Sequence, residues 1–261
     1  NCYSTGEIII IIHDLNTYNT GYSGGIIGQC NNFIVTNCYS TGSISGYNVG
    51  GIVSSNCSDC RIYNCYSTGD ITGKESGGIC GRYFKGEVFN CYSSGNIGAP
   101  LVGHSGGIVG SRAGSGGTCV IENCYSTGNI NSSSTGGICA SYTTIYGGIC
   151  IINNCYSTGD ISGSNAGGIT GHNTKTGVSI TNCYSNGTIS TNNGTINSTN
   201  DSPLNGNYSI SDLSNYQGIG NLGSEYIVSF TNNYEYPILK SNTGIGINGI
   251  IYYDIDRNTI K

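Results

Sequence analysis

Isoleucine and valine recur along this chain in short bursts, each fenced by glycine, asparagine or serine. One set stands at Ile8, Ile44, Ile71, Ile97, Ile130, Ile161 and Ile189, a second at Val35, Ile62, Val88, Ile121, Ile152 and Ile180. Between them lies a polar phrase, "NCYSTG", which opens the chain and returns nearly unchanged with its cysteine at positions 38, 65, 91, 124, 155 and 183. The second set falls three residues before that cysteine and the first set six after it. β-Branched residues in runs this short, bounded by turn formers, predict strand–turn–strand. No window carries the i, i+3, i+4 stripe of an amphipathic helix.

The cysteines of the hexapeptide are spaced 36, 27, 26, 33, 31 and 28 residues apart. A second element, Gly-Gly-Ile, begins at Gly24, Gly50, Gly77, Gly106, Gly136 and Gly167, and in four repeats it starts 12 residues after the hexapeptide cysteine. A fixed distance inside the repeat, with variation outside it, places the insertions in loops. Repeats of this length cannot bury an apolar face alone, but stacked about 4.8 Å apart they create a continuous core. The fold class expected is therefore all-β: a parallel β-helix-like β-solenoid of about seven repeats, 26–36 residues each, over 1–195. Residues 196–261 lack both elements and are expected to form a C-terminal β cap or docking segment that covers the end of the stack.

The stretch "GGIVSSNCSDCRIYNCYSTGDITGKESGGICG" (50–81) resembles tandem GLUG motifs: Gly-Gly-hydrophobic, an intervening strand, then Asn-Cys-Tyr-Ser-Thr-Gly and Ile. The resemblance spans roughly 1–195, and "NNYEYPILK" (232–240) is similar to the segment that follows the last repeat in such proteins. It implies a β-helix-like scaffold without activity of its own, of the kind found in secreted or surface-attached adhesin-like proteins. The cysteine load outside the hexapeptide and the expanded first repeat depart from the usual pattern.

Composition narrows the function classes. Only 9% of residues are charged and the formal net charge is −5, which excludes the basic stripe that nucleic acid or an anionic membrane surface requires. No apolar run approaches the roughly 20 residues of a spanning helix. The longest, Ile8, Ile9, Ile10, Ile11 and Ile12, has strand length and is a candidate assembly edge. The absence of methionine suggests a processed form or an internal piece. Fourteen cysteines fit an oxidising compartment. Sequons start at Asn56, Asn131, Asn186, Asn193, Asn197, Asn200 and Asn207, so an extracellular or surface-exposed glycoprotein is expected.

Candidate chemistry is sparse. Stacking makes a column of Cys2, Cys38, Cys65, Cys91, Cys124, Cys155 and Cys183, seven equivalent copies where a nucleophile needs one copy with a base beside it. The Asn and Tyr of the hexapeptide are expected to stack along the axis, and its Thr-Gly to turn with glycine at positive φ. Pairing across the asparagine turn suggests disulfides Cys60–Cys65, Cys119–Cys124, Cys150–Cys155 and Cys30–Cys38 as staples. Cys57-Ser58-Asp59-Cys60 is a lone CxxC, open to a redox or zinc reading but lacking a second pair. Glu7, Asp70 and Asp160 share a repeat position, but the last two lie about 14 Å apart, too far for a glycosidase pair. "GIGING" (244–249) matches G-x-G-x-x-G without a following helix. A broken threonine column is a poor ice-binding array.

No catalytic residue, metal or cofactor is expected. The function expected is a secreted, non-enzymatic stalk, fibre or adhesin-like scaffold that associates with itself or with surface proteins and glycans. The alternatives are a filament subunit docking head-to-tail and a carbohydrate-binding or carbohydrate-active β-helix.

Overall fold

The computed structural model describes residues 2–9, 22–99, 103–181, 183–185 and 187–190, together with the dipeptides 204–205, 226–227 and 238–239. Among these residues there is no helix. Each hexapeptide supplies one two-residue strand: β1 (Tyr3–Ser4), β4 (Tyr39–Ser40), β7 (Tyr66–Ser67), β10 (Tyr92–Ser93), β12 (Tyr125–Ser126), β15 (Tyr156–Ser157) and β18 (Tyr184–Ser185). All pair in parallel, tyrosine on tyrosine and serine on serine.

The segments before the hexapeptides form a second parallel sheet. It contains β3 (Ile34–Thr36), β6 (Cys60–Tyr63), β9 (Gly86–Phe89), β11 (Thr118–Glu122), β14 (Ile149–Asn153), β17 (Val178–Thr181) and β19 (Leu204–Asn205). The segments after the hexapeptides stack as β2 (Ile8–Ile9), β5 (Ile44–Tyr47) and β8 (Ile71–Lys74), then through single bridges to β13 (Ile130–Asn131) and β16 (Ile161–Ser162). Gly-Gly-Ile closes the section through bridges running Gly24, Gly50, Gly77, Gly106, Gly136, Gly167.

This is the expected β-solenoid. The count of repeats depends on the face: seven rungs stack on the hexapeptide side, whereas the Gly-Gly-Ile side closes about five full turns. Within 196–261, β19 continues the second sheet in parallel, while β20 (Tyr226–Ile227) and β21 (Ile238–Leu239) pair antiparallel, and the rest lies outside the described residues.

Strand alternation sorts the second sheet. Val35, Ile62, Val88, Ile121, Ile152 and Ile180 point inward and are buried, joined by Ile52, Ile79, Ile108, Ile138 and Ile169 from the Gly-Gly-Ile face. Their neighbours Ile34, Arg61, Glu87, Val120, Ile151 and Ser179 share a register row on the outer face.

The corners have specific chemistry. The left-handed residue of the hexapeptide is its asparagine, not its glycine: Asn37, Asn64, Asn90, Asn123 and Asn154 have φ of 51–54°. Asparagine tolerates that region better than any other side chain except glycine's hydrogen. The hexapeptide glycine is required for another reason. A Cβ on Gly69 would collide with the carbonyl oxygen of Gly42 on the coil below.

Candidate functional site

The repeated residues are consumed by ladders that run along the axis. The tyrosine rings stack face to face with centroids 4.8–5.5 Å apart from Tyr3 to Tyr184. The asparagine amides hydrogen-bond from coil to coil, as Asn64 Nδ2 donates to Asn37 Oδ1 and Asn90 Nδ2 to Asn64 Oδ1. Asp70 and Asp160 sit in a third ladder, where each side-chain oxygen accepts the backbone N–H of the next coil. Asn96 and Asn129 do the same without a charge, so the carboxylates serve there as backbone acceptors.

The hexapeptide thiols form a fourth ladder. Cys91 Sγ donates to Phe89 O at 3.1 Å and accepts the N–H of Cys65 at 3.4 Å, and the other buried copies donate likewise to the carbonyl two residues earlier. Burial holds the Cys91, Cys124 and Cys155 thiols well above the usual range. All fourteen cysteines are free, so the expected bridges Cys60–Cys65, Cys119–Cys124, Cys150–Cys155 and Cys30–Cys38 are not formed. The physical reason is direction: these sulfurs meet neighbours on adjacent coils, not across their own turn. Cys91→Ala removes a donor and an acceptor inside the core, and is expected to lower the unfolding free energy by about 1–3 kcal/mol, with Cys91→Ser losing less. Urea titration followed by circular dichroism checks both.

Two thiol clusters lie outside that ladder. Cys30, from the first Gly-Gly-Ile loop, places its Sγ 3.5 Å from Cys57 Sγ and 3.4 Å from Cys60 Sγ, so the CxxC gains a third member from the coil below. Hydrogen bonding from Cys30 lowers the Cys57 pKa, and the same bond raises that of Cys30. On later coils Cys119 lies in register with Cys150, and the thiols of Cys119 and Cys139 hydrogen-bond to Cys150, favouring its thiolate against the cost of burial. Among the described residues, no group of three or more His, Cys, Asp or Glu is placed to hold a metal ion.

The non-repeating residues sit outside. A cleft of about 800 Å³ spans four coils of the second sheet, walled by Ile34, Arg61, Lys85 and Val120, with Cys60 in its lining. It lies at the shortest coil, where Gly86, at φ 141°, packs so closely that a Cβ there would collide with the carbonyl oxygen of Cys60. Arg61 pairs with Glu87 at 3.4 Å, both exposed.

Around the corner, the residue four after the last five Gly-Gly-Ile elements is left-handed: Asn56, Tyr83, Arg112, Tyr142 and Asn173. The three bulky ones are held by backbone bonds to the next coil, Tyr83 N to Ser111 O, Arg112 N to Ser141 O and Tyr142 N to His172 O. Arg112 there donates to Tyr83 Oη and lies over the rings of Tyr83, Tyr142 and Tyr146. Arg82 Nε approaches Glu75 Oε2 without the alignment of a hydrogen bond. Sequence reasoning missed this corner, because nothing but its register marks Tyr83 or Arg112 as left-handed.

His104 joins the same corner, with its Nδ1 2.7 Å from Ser141 Oγ and its ring edge-on to Tyr142. Burial lowers its pKa below the model-peptide value of 6.5. The unfolded chain therefore binds this proton first, and stability is lost as pH falls from about 6.5 towards the folded value. The melting temperature is expected to drop over that interval, and less in His104→Gln. Parallel scanning calorimetry of the two chains measures the difference.

Of the sequons, Asn131 is exposed, while Asn56 is partly buried and donates to Tyr22 Oη. Asn186, Asn193, Asn197, Asn200 and Asn207 lie outside the described residues, as do Ile10, Ile11 and Ile12 of the candidate edge and the 244–249 glycine motif. Ile8 and Ile9 form β2, paired on one side to β5. No helix of the described residues is long and apolar enough to cross a membrane.

The family model for the GLUG motif matches residues 45–72, which hold β5, the Cys57–Cys60 loop, β6, β7 and the start of β8, and this is consistent with a GLUG-repeat protein. No curated protein and no solved structure matches the chain.

Proposed function

We propose that this GLUG-motif repeat solenoid is an extracellular, non-enzymatic scaffold: a stalk, fibre or adhesin-like element that holds a fixed length and presents a lateral surface. The observation that carries the reading is the fate of the repeated residues. Tyrosine, asparagine, cysteine and the Asp/Asn position each meet their own copies on neighbouring coils, which supports reading the repeat as the builder of the rod. The freedom to vary lies on outer positions, where a surface protein makes contacts. Antibody labelling of the native source material by electron microscopy, with mass mapping of Asn131 and the other sequons, tests it. Signal confined to the cytosol and bare sequons throughout would sink the extracellular role.

Two further readings each have an observation in their favour. The cleft beside Arg61 and Lys85, with its mixed polar and aliphatic walls, suits an extended neutral glycan. Glycan-array binding tests that, and a blank array counts against it. Chemically equivalent rungs also allow a rung of a second copy to continue the tyrosine stack and the parallel register, which favours a head-to-tail filament. Negative-stain images showing only dispersed single particles at every concentration would remove it.

A further inference from the structure

Three successive coils place bulky residues in left-handed backbone where asparagine serves on either side. Tyr83, Arg112 and Tyr142 have φ of 55°, 64° and 61°, and the flanking coils carry Asn56 and Asn173 at the same position. Strain that the stack holds in place points to a use for the side chains it sets. Here it sets the Arg112 guanidinium among three rings, its Cζ 5.2 Å from the centroid of Tyr83, 5.6 Å from Tyr142 and 6.0 Å from Tyr146. Tyr146 belongs to an insertion: Cys155 lies 19 residues after Gly136, whereas Cys91 lies 14 after Gly77. The inserted loop carries its ring back two coils to stack on Tyr83, with centroids 6.4 Å apart and planes 14° apart. Charge is balanced at the edge of this box but not at its centre. Glu75 pairs with Arg82 and accepts Ser111 Oγ, whereas no carboxylate among the described residues lies within 4.0 Å of Arg112. Arg112 Nη1 donates to Tyr83 Oη, and a guanidinium has five N–H groups, so donors remain for a ligand. Tyr146 is 66% exposed and Arg112 is half-buried, so ring and cation are both reachable from solvent.

We propose that this corner binds an acidic sugar, a uronic- or sialic-acid residue of a glycan, with Arg112 on its carboxylate and Tyr146 against its ring. The proposal rests on the reading of the rod as an extracellular scaffold that presents a lateral surface. Charge selects the class: one guanidinium without a carboxylate partner matches one carboxylate and leaves the double charge of a phosphate half unmet. The rings select the sugar. An exposed tyrosine face takes the apolar C–H face of a pyranose, while Tyr83 Oη, which Arg112 and Tyr146 both hydrogen-bond, stands beside the cation for a sugar hydroxyl. A protein carboxylate has no flat ring to lay on Tyr146 and is held by the guanidinium alone. The site is pre-formed, because His104 packs edge-on against Tyr142 and its Nδ1 lies 2.7 Å from Ser141 Oγ.

Calorimetric titration of the full chain tests this with two acidic sugars, trigalacturonic acid and 3′-sialyllactose. At least one is expected to bind about tenfold or more tightly than its neutral counterpart, the methyl-esterified trimer or lactose, and than a glutamate-bearing peptide. Tyr146→Ala alters an exposed loop position and is expected to weaken binding about tenfold while the urea midpoint stays in place. Arg112→Lys keeps the charge but loses the fork, and is expected to weaken binding by a similar factor. Should Arg112→Lys unfold the chain, Tyr146→Ala decides alone. Arg61→Ala, on the cleft, is expected to leave the affinity unchanged. Loss of binding in Arg61→Ala with none in Tyr146→Ala would move the glycan to the cleft and overturn the proposal. Equal affinity for acidic and neutral sugars, equal affinity for the peptide, or no binding of either acid overturns it as well. These titrations use purified protein, so their failure is distinct from a cytosolic signal in the labelling experiment, which bears on the extracellular reading alone.

Discussion

Gly78→Ala is expected to destabilise the solenoid by about 3 kcal/mol or more, the cost of forcing atoms into a packed interior that cannot yield. An added Cβ would stand well under 3.0 Å from both the carbonyl oxygen of Gly107 and the side chain of Ser93. Neither can retreat. Gly107 belongs to the next Gly-Gly-Ile bridge, and Ser93 is held in register between Ser67 and Ser126. The same contact repeats at Gly51 with Ser67, Gly107 with Ser126 and Gly137 with Ser157, which is why the two sequence elements travel together. Gly6→Ala is the control: its Cβ meets nothing within 4 Å, and a change within about 0.5 kcal/mol is expected. Urea unfolding of both variants, read by circular dichroism, gives the comparison. Equal stabilities would refute the steric account of the glycine pairs.

Ile121→Ala is expected to cost about 2–5 kcal/mol, whereas Ile151→Ala, on the paired strand, is expected to change stability by less than about 0.5 kcal/mol. Ile121 is fully buried, in register between Val88 and Ile152. Ile151 points to the outer face and is 38% exposed. In a stack where each coil touches only its neighbours, a cavity at β11 weakens the joint between the two halves and lowers cooperativity as well as the midpoint. A broadened urea transition for Ile121→Ala alone would show that; comparable losses at both positions would contradict the assignment of faces.

The rod was readable from spacing alone because identical residues at near-identical intervals can only stack. Val88 and Ile121 announced the core by their fixed distance from the hexapeptide cysteine. What spacing could not give was direction. The bridges expected across the asparagine turn assumed that sulfurs face along the chain, whereas stacking brings Cys91 to Cys65 and leaves no partner across the turn. The Cys30–Cys57 contact did have a signal, since both lie eight residues before a hexapeptide cysteine and so had to become neighbours. The cleft had a weaker one: it lies at the shortest repeat, the 26 residues from Cys65 to Cys91. The Arg82–Tyr83–Arg112 corner had none, because its left-handed residues are not the types that prefer that backbone, and the next coil's carbonyls impose the conformation.

The orientation of the interstrand hydrogen bonds carries a mechanical consequence. Every bond that joins one coil to the next points along the axis of the rod. Tension applied end to end therefore loads the bonds of a terminal coil in series with the rest and peels one coil at a time, as a zipper opens. Each coil of 26–36 residues, once peeled, adds roughly 90–120 Å of slack at the reach of an extended chain. A stretched rod of this kind gives way in steps of unequal length, in an order written by the loop insertions, and absorbs work at each step without losing the coils that remain.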